Sequence, residues 1–199
     1  MLYVIITCLV VLGDQFFKYW ITANIEAGQT MPLLPGIVHL TYVENTGAAF
    51  SMFSGMRWIL VGFTGVCLIL MLFFMIKTKY GAAVRFPLAL VMGGAVGNLI
   101  DRIMNGYVVD MFEVEFVRYA VFNIADAFIN VGAILFVILY LIKSGIEDKR
   151  EKQKRTARAK KMSDVVNSSM SPVSEMTAED ILHDIQTPGF GSVGEDPKA

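Results

Sequence analysis

WILVGFTGVCLILMLFFMI, Trp58 to Ile76, contains no charged side chain. Roughly 20 apolar residues of helix are needed to cross the hydrocarbon of a bilayer, and this stretch is one crossing long. The whole chain leans the same way. It is 55% hydrophobic and only 18% charged over 199 residues, with a mean hydropathy of +0.55, which is more apolar than an ordinary soluble domain. A buried core helix of a soluble protein is the weaker account of Trp58–Ile76.

Working outward, three further segments have span length, and each carries polar residues. Met1–Trp20 is apolar up to Gly13 and then shows Asp14 and Lys18. Phe86–Ile103 ends in Asn98, Asp101 and Arg102, and Ile124–Ile142 has Asp126 near its head. The sequence therefore predicts an α-helical membrane protein: a four-span bundle over residues 1–143, followed by a tail, residues 144–199. The first span lacks a basic leader and a small-x-small cleavage site, so it is expected to stay as an anchor.

Lys77, Lys79 and Arg85 crowd the short loop between the second and third spans, and EDKREKQKRTARAKK follows the fourth. The positive-inside rule puts both in the cytoplasm, with the N-terminus beside them. The loops 21–57 and 104–121 then face outward. In that topology Asp14 and Lys18, Asn98, Asp101 and Arg102, and Asn123 and Asp126 all gather at the outward membrane face. Helical spacing (i,i+4; i,i+3 and i,i+4; i,i+3 and i,i+7 on to Asn130) puts each set on one side of its helix.

A charge at mid-bilayer costs about 2.5–3.5 kcal/mol on insertion scales, so an intramembrane carboxylate is a functional candidate by default. Helix-end polar residues can equally be caps or structural pairs. Asp14 with Lys18 reads as such a pair, and Asp101 beside Arg102 as another. Convergence from three spans is harder to account for by structure alone.

In the outward loops, VVDMFEV around Asp110 is β-branched and aromatic, as an extended segment would be. IVHLTYV followed by the turn signal NTG predicts a small β element over residues 37–53. If Asp110 and Asp126 stand side by side, repulsion and poor solvation prevent both from ionising, and they share a proton. Such a pair can hydrolyse a peptide: one carboxylate takes a proton from water while the other donates to the carbonyl and then to the leaving amine. Other chemistries lack residues. His39 and His183 are far apart without metal spacing, and Cys8 and Cys67 lie in apolar spans with no CxxC. The cysteines read as packing residues, and no metal or other cofactor is called for.

GDQFFKYW, VENTGAAFS, GGAVGNLIDRI, VVDMF and FNIADAFI, in that order from Leu12 to Ile142, resemble the signature blocks of the lipoprotein signal peptidases, the bacterial signal peptidase II family. The resemblance implies a four-span aspartyl peptidase of the bacterial inner membrane, acting near the periplasmic face. It would cut signal peptides from diacylglyceryl-modified prolipoproteins just before the lipidated cysteine. Position by position it makes Asp110 and Asp126 the catalytic pair and sets Asp14, Asn45, Asn98, Arg102 and Asn123 around them. Asn98 and Asn123 suit positioning by amide donation, Arg102 and Asn45 suit holding peptide backbone, and Asp14 suits structural support. Gly93, Gly94 and Gly97 suit close approach of helices or of an extended substrate. The implied partners are prolipoproteins and membrane lipids, not nucleic acid, and the implied state is a monomer.

The tail departs from the compact family pattern. Lys143–Lys161 is basic and is expected to extend the fourth span as a helix, against anionic lipid. Beyond it the chain is acidic and rich in Ser, Pro and Gly, with a short helix expected in TAEDILHDI capped at Thr177 and disorder elsewhere. Two other classes also bear intramembrane polar residues. A transporter or proton relay would place them near mid-membrane within paired repeats, and neither is evident. A noncatalytic scaffold for lipoprotein precursors would tolerate Asn at Asp110 or Asp126.

Overall fold

A computed structural model describes residues 1–47, 52–117 and 119–174, with residues 169–174 described by backbone alone. Four helices are long and apolar enough to cross a membrane: α1 (Leu2–Asn24), α2 (Arg57–Lys77), α3 (Ala82–Met104) and the first part of α4 (Ile124–Ser174). Three strands, β1 (Thr30–Leu34), β2 (Val38–Asn45) and β3 (Val108–Val114), form one antiparallel sheet in the order β1-β2-β3. The fold is thus a membrane helical bundle with a small sheet.

The chain divides into two units, Met1–Ile146 and Glu147–Ala199. In the second, α4 is helical beyond Lys161, to Ser174, and residues 148–168 are exposed. The acidic segment with Thr177 and His183 lies outside the described residues.

Helices stand at all four predicted spans; the ends of α1 to α3 move by up to four residues, and α4 continues past Ile142 to Ser174. α1 extends past Trp20 because Ile21 and Ile25 are buried with Leu40, Val109 and Met111 in the core beneath the sheet. α3 begins early because Gly81, at φ 62, turns the chain directly out of the preceding loop. Arg85 then donates to the Met75 carbonyl, 3.1 Å away, and satisfies an otherwise free acceptor at the end of α2.

Close packing rests on glycine. A Cβ at Gly93 would lie 2.7 Å from that of Val10 on α1, and one at Gly132 of α4 2.7 Å from Val91 Cγ2 on α3. At Gly94 it would strike the Ala125 carbonyl, and at Gly97 the Asp14 carboxylate. Helices meet backbone to backbone here, as small residues permit in lipid. Cys8 departs from its expected packing role: it sits on the outer surface of α1, exposed.

The β element is larger than 37–53. β1 is an additional edge strand, and Pro32 within it is tolerated because an edge leaves one row of N–H groups without a ladder. Leu34-Pro35-Gly36-Ile37 joins it to β2, with the Ile37 N–H donating to the Leu34 carbonyl at 3.0 Å and Gly36 at φ 77. That is type II turn chemistry, with proline before a positive-φ glycine. Residues 48–51 of the NTGAAFSMF block lie outside the described residues.

Candidate active site

Alternation along β3 aims Asp110. Val109 and Met111 face the core over α1, so Asp110 between them projects from the opposite face of the strand. The chain leading into α4 is tied to the same strand. Phe122 pairs with Phe112, its carbonyl accepting from the Met111 and Phe112 N–H groups at 3.0 and 2.8 Å, and its own N–H donating to Phe112 O at 3.2 Å. This junction brings Asn123, the next residue, to Asp110.

Asn123 is the N-cap of α4, not a helical residue on the face predicted for it. Its Oδ1 accepts the Asp126 N–H at 2.8 Å, while the Asp126 Oδ2 accepts the Asn123 N–H at 3.2 Å. This is a capping box with aspartate at the N3 position. The reciprocal pair that starts the helix therefore also holds the Asp126 carboxylate. A further free N–H of that first turn, Ala125, donates to Asp14 Oδ1 at 2.9 Å.

Asparagine amides join the two carboxylates. Asn123 Nδ2 donates to Asp110 Oδ1 at 2.7 Å and to Asn98 Oδ1 at 3.1 Å. Asn45, from β2, donates to Asp110 Oδ2 at 2.9 Å, and Asn98 Nδ2 donates to Asp126 Oδ1 at 2.8 Å. Every carboxylate oxygen of the two aspartates thus has a donor. Burial pushes Asp110 up to about 6; the Asp126 charge adds to the rise, and the Asn45 and Asn123 hydrogen bonds oppose it.

Asp110, Asp126, Asn45, Asn98 and Arg102 line a single cleft of about 250 Å³, closed on another side by Tyr119–Phe122 and by Ile129 and Asn130. Arg102 Nη2 donates to the Gly47 carbonyl at 2.9 Å, and its Nε is buried with no hydrogen-bond partner among the described residues.

Of the residues singled out from sequence, Asn45, Asn98, Arg102, Asn123, Asp110 and Asp126 meet at this cleft. Asp14 lies behind it. There Lys18 makes ion pairs with both Asp14 Oδ2 (2.7 Å) and Asp101 Oδ2 (2.9 Å). Asp101 thus pairs with Lys18 and not with its neighbour Arg102, because successive helical residues point about 100° apart. Its carboxylate also accepts from Gln15 at 3.0 Å and from the Val109 N–H at 3.2 Å, which fastens the start of β3 to α3. Gln15 was not singled out from sequence; Lys18 and Asp101 were, and Lys18 does pair with Asp14, but local spacing did not reveal the pair that Lys18 and Asp101 make across α1 and α3. The sequence signal for Asn123 as a cap, N-x-x-D before an apolar run, was present in FNIADAFI.

Fold and site together define a polytopic membrane protein with a carboxylate pair in a cleft walled by asparagine. Residues 6–142 match the family described as signal peptidase (SPase) II, and the chain belongs to that family of aspartic peptidases. It is 44% identical over 131 residues to the lipoprotein signal peptidase of Lactococcus lactis subsp. lactis (strain IL1403), covering 66% of this chain and 87% of that protein. It is 42% identical over 135 residues to that of Trichormus variabilis, with 66% and 84% covered. A solved bacterial membrane enzyme superposes with a TM-score of 0.68 at 32% identity, over 71% of this chain and 88% of that one. The chain is therefore a multi-pass bacterial membrane peptidase. The transporter reading falls away.

Proposed function

We propose that this protein is an endopeptidase that removes signal peptides from diacylglyceryl-modified prolipoproteins, cutting before the lipidated cysteine, with Asp110 and Asp126 as its catalytic pair. The observation that carries this reading is that two carboxylates from different elements, β3 and α4, line one cleft, each held by amide donors. The names of its relatives, lipoprotein signal peptidases, support the substrate class.

Burial favours the protonated form of Asp110, and the reaction runs with the pair's shared proton on that carboxyl. A water between the carboxyls attacks the scissile carbonyl and loses a proton to Asp126, while Asp110 protonates the carbonyl oxygen. The resulting tetrahedral centre collapses as the C–N bond breaks, with a proton passing to the leaving amine and the pair returning to its one-proton state. The Nε of Arg102, without a hydrogen-bond partner among the described residues, is a candidate donor to a peptide carbonyl. Asn45 and Asn123 fix Asp110, and Asn98 fixes Asp126.

The enzyme acts as a monomer with both termini in the cytoplasm and the cleft near the periplasmic face, an orientation favoured by the basic loop 77–85 and the basic tail. A lipidated precursor arrives with its signal helix in the bilayer, so its scissile bond lies at that boundary, within reach of water.

The test replaces Asp110 or Asp126 by Asn and follows cleavage of lipidated and unlipidated precursor in detergent. Turnover is expected to fall about 1,000-fold or more with binding retained. Unchanged turnover removes the pair from the mechanism, and equal cleavage of unlipidated precursor removes the diacylglyceryl requirement.

A further inference from the structure

Lys18 is buried, and its ammonium makes three contacts: Asp14 Oδ2 at 2.7 Å, Asp101 Oδ2 at 2.9 Å and Asn98 Oδ1 at 2.9 Å. The first is an ion pair within α1, and the second joins α1 to α3. The third bears on the reaction, because Asn98 passes its other end, Nδ2, to Asp126.

An asparagine amide has nearly the same shape either way round, so its partners decide which end is oxygen. Asn98 Oδ1 accepts from Lys18 Nζ and from Asn123 Nδ2. Turning the amide over would set its NH₂ against an ammonium and a second NH₂, and its oxygen against the Asp126 carboxylate. Lys18 is the stricter of the two controls. Both groups can only donate, but the Lys18 ammonium also carries a full charge, which makes its hydrogen bond to Asn98 Oδ1 the stronger constraint.

We infer that Lys18 is a positioning residue for the proposed peptidase reaction: through Asn98 it fixes the amide donor that holds Asp126 in the cleft. The inference rests on the assignment of Asp126 to the catalytic pair. Lys18 does not line the cleft, so it acts without touching substrate. Asp14 and Asp101, with Gln15 bonded to the latter at 3.0 Å, hold the ammonium in place.

A purely structural ion pair and a positioning residue differ in what they couple to. The experiment compares wild type, Lys18→Met, Asn98→Ala and the double variant, as full chains in detergent, by kcat and KM on a lipidated precursor and by Tm. Lys18→Met is expected to lower kcat about 10- to 100-fold with KM changed less than about threefold. The double variant is expected to be no more than about threefold below the poorer single, because both remove one interaction. Lys18→Met with Asp14→Asn keeps the charge of the cluster constant and replaces the single variant if that one does not fold. Losses that multiply, an unchanged kcat in a folded variant, or an effect on KM alone would each overturn the inference. A wild type that does not cleave the lipidated precursor overturns the functional assignment and the inference with it, whereas an active wild type indifferent to Lys18 overturns only the latter.

Discussion

α1 and α2 are of nearly equal length, 23 and 21 residues, yet they treat their side chains in opposite ways. α2 buries Leu60 alone and leaves Trp58, Phe63 and Ile69 open, whereas α1 buries Asp14 and Lys18 with Val10 and Ile21. In water this would be an inverted protein. In lipid, apolar surface gains nothing by leaving the solvent, so α2 can stay largely uncovered, and contacts form where small residues and polar partners allow. The polar side chains collected inside the first unit are those that hydrocarbon cannot solvate, and the cleft is built from them.

The largest expected effect tests this contrast at two glycines. A methyl group at Gly94 meets the backbone carbonyl of Ala125 and lies 2.8 Å from Ile129 Cγ1, whereas one at Gly62 on α2 meets nothing within 4 Å. Gly94→Ala should cost about 3 kcal/mol by overpacking, and should lower kcat too, since Ala125 precedes Asp126. Gly62→Ala should leave stability within about 1 kcal/mol, with helix propensity in its favour. Thermal unfolding in detergent measures both; equal losses would mean that α2 is as tightly packed as the α3–α4 seam.

The same contrast explains how far the sequence could be read. Spans are legible because lipid demands long apolar runs, and α2 was the plainest because Trp58–Ile76 carries no charged residue and buries only Leu60. Their ends were less legible: α1 continues to Asn24 under the pull of the sheet core around Met111. β1 was missed because TMPLL carries a proline and lies wholly exposed, so its pattern records no buried face. Asp110 and Asp126 were singled out as chemistry without a meeting point, and the Phe112–Phe122 pairing that supplies one has no motif. Lys18 was read by its nearest neighbour, Asp14. Its decisive partner Asn98 is 80 residues away, beyond the reach of periodicity.

Asn123 stands where the two regimes join, as helix cap and as amide donor together. Asn123→Ala removes the cap, worth about 1 kcal/mol, and two buried donors, each worth roughly another. A loss of about 2–3 kcal/mol in stability is expected, with kcat falling at least about tenfold as Asp110 and Asp126 lose their common support. Asn123→Asp separates the two roles. Aspartate still caps the helix but sets a third carboxylate against Asp110, so stability recovers in part while turnover does not. If turnover follows stability in both variants, the cap alone matters.

The smallest effect follows the titration of one carboxyl of the cleft. Asp110 sits at about 6 in the folded protein against 3.8 as its ordinary value. Between those values the folded state holds a proton that the unfolded state has released, so stability falls as pH rises through that window and recovers on acidification. From pH 7 to pH 5 the group should add about 1 kcal/mol. Asp110→Asn removes the dependence, and because any change in its hydrogen bonds to Asn45 and Asn123 is the same at both pH values, the comparison of slopes is free of it. Unfolding measured at pH 5, 6 and 7 should therefore show wild type gaining on the variant as the solution is acidified. Parallel slopes would mean that Asp110 is no harder to ionise than an exposed carboxylate, and would leave the assignment of the proton to it without support.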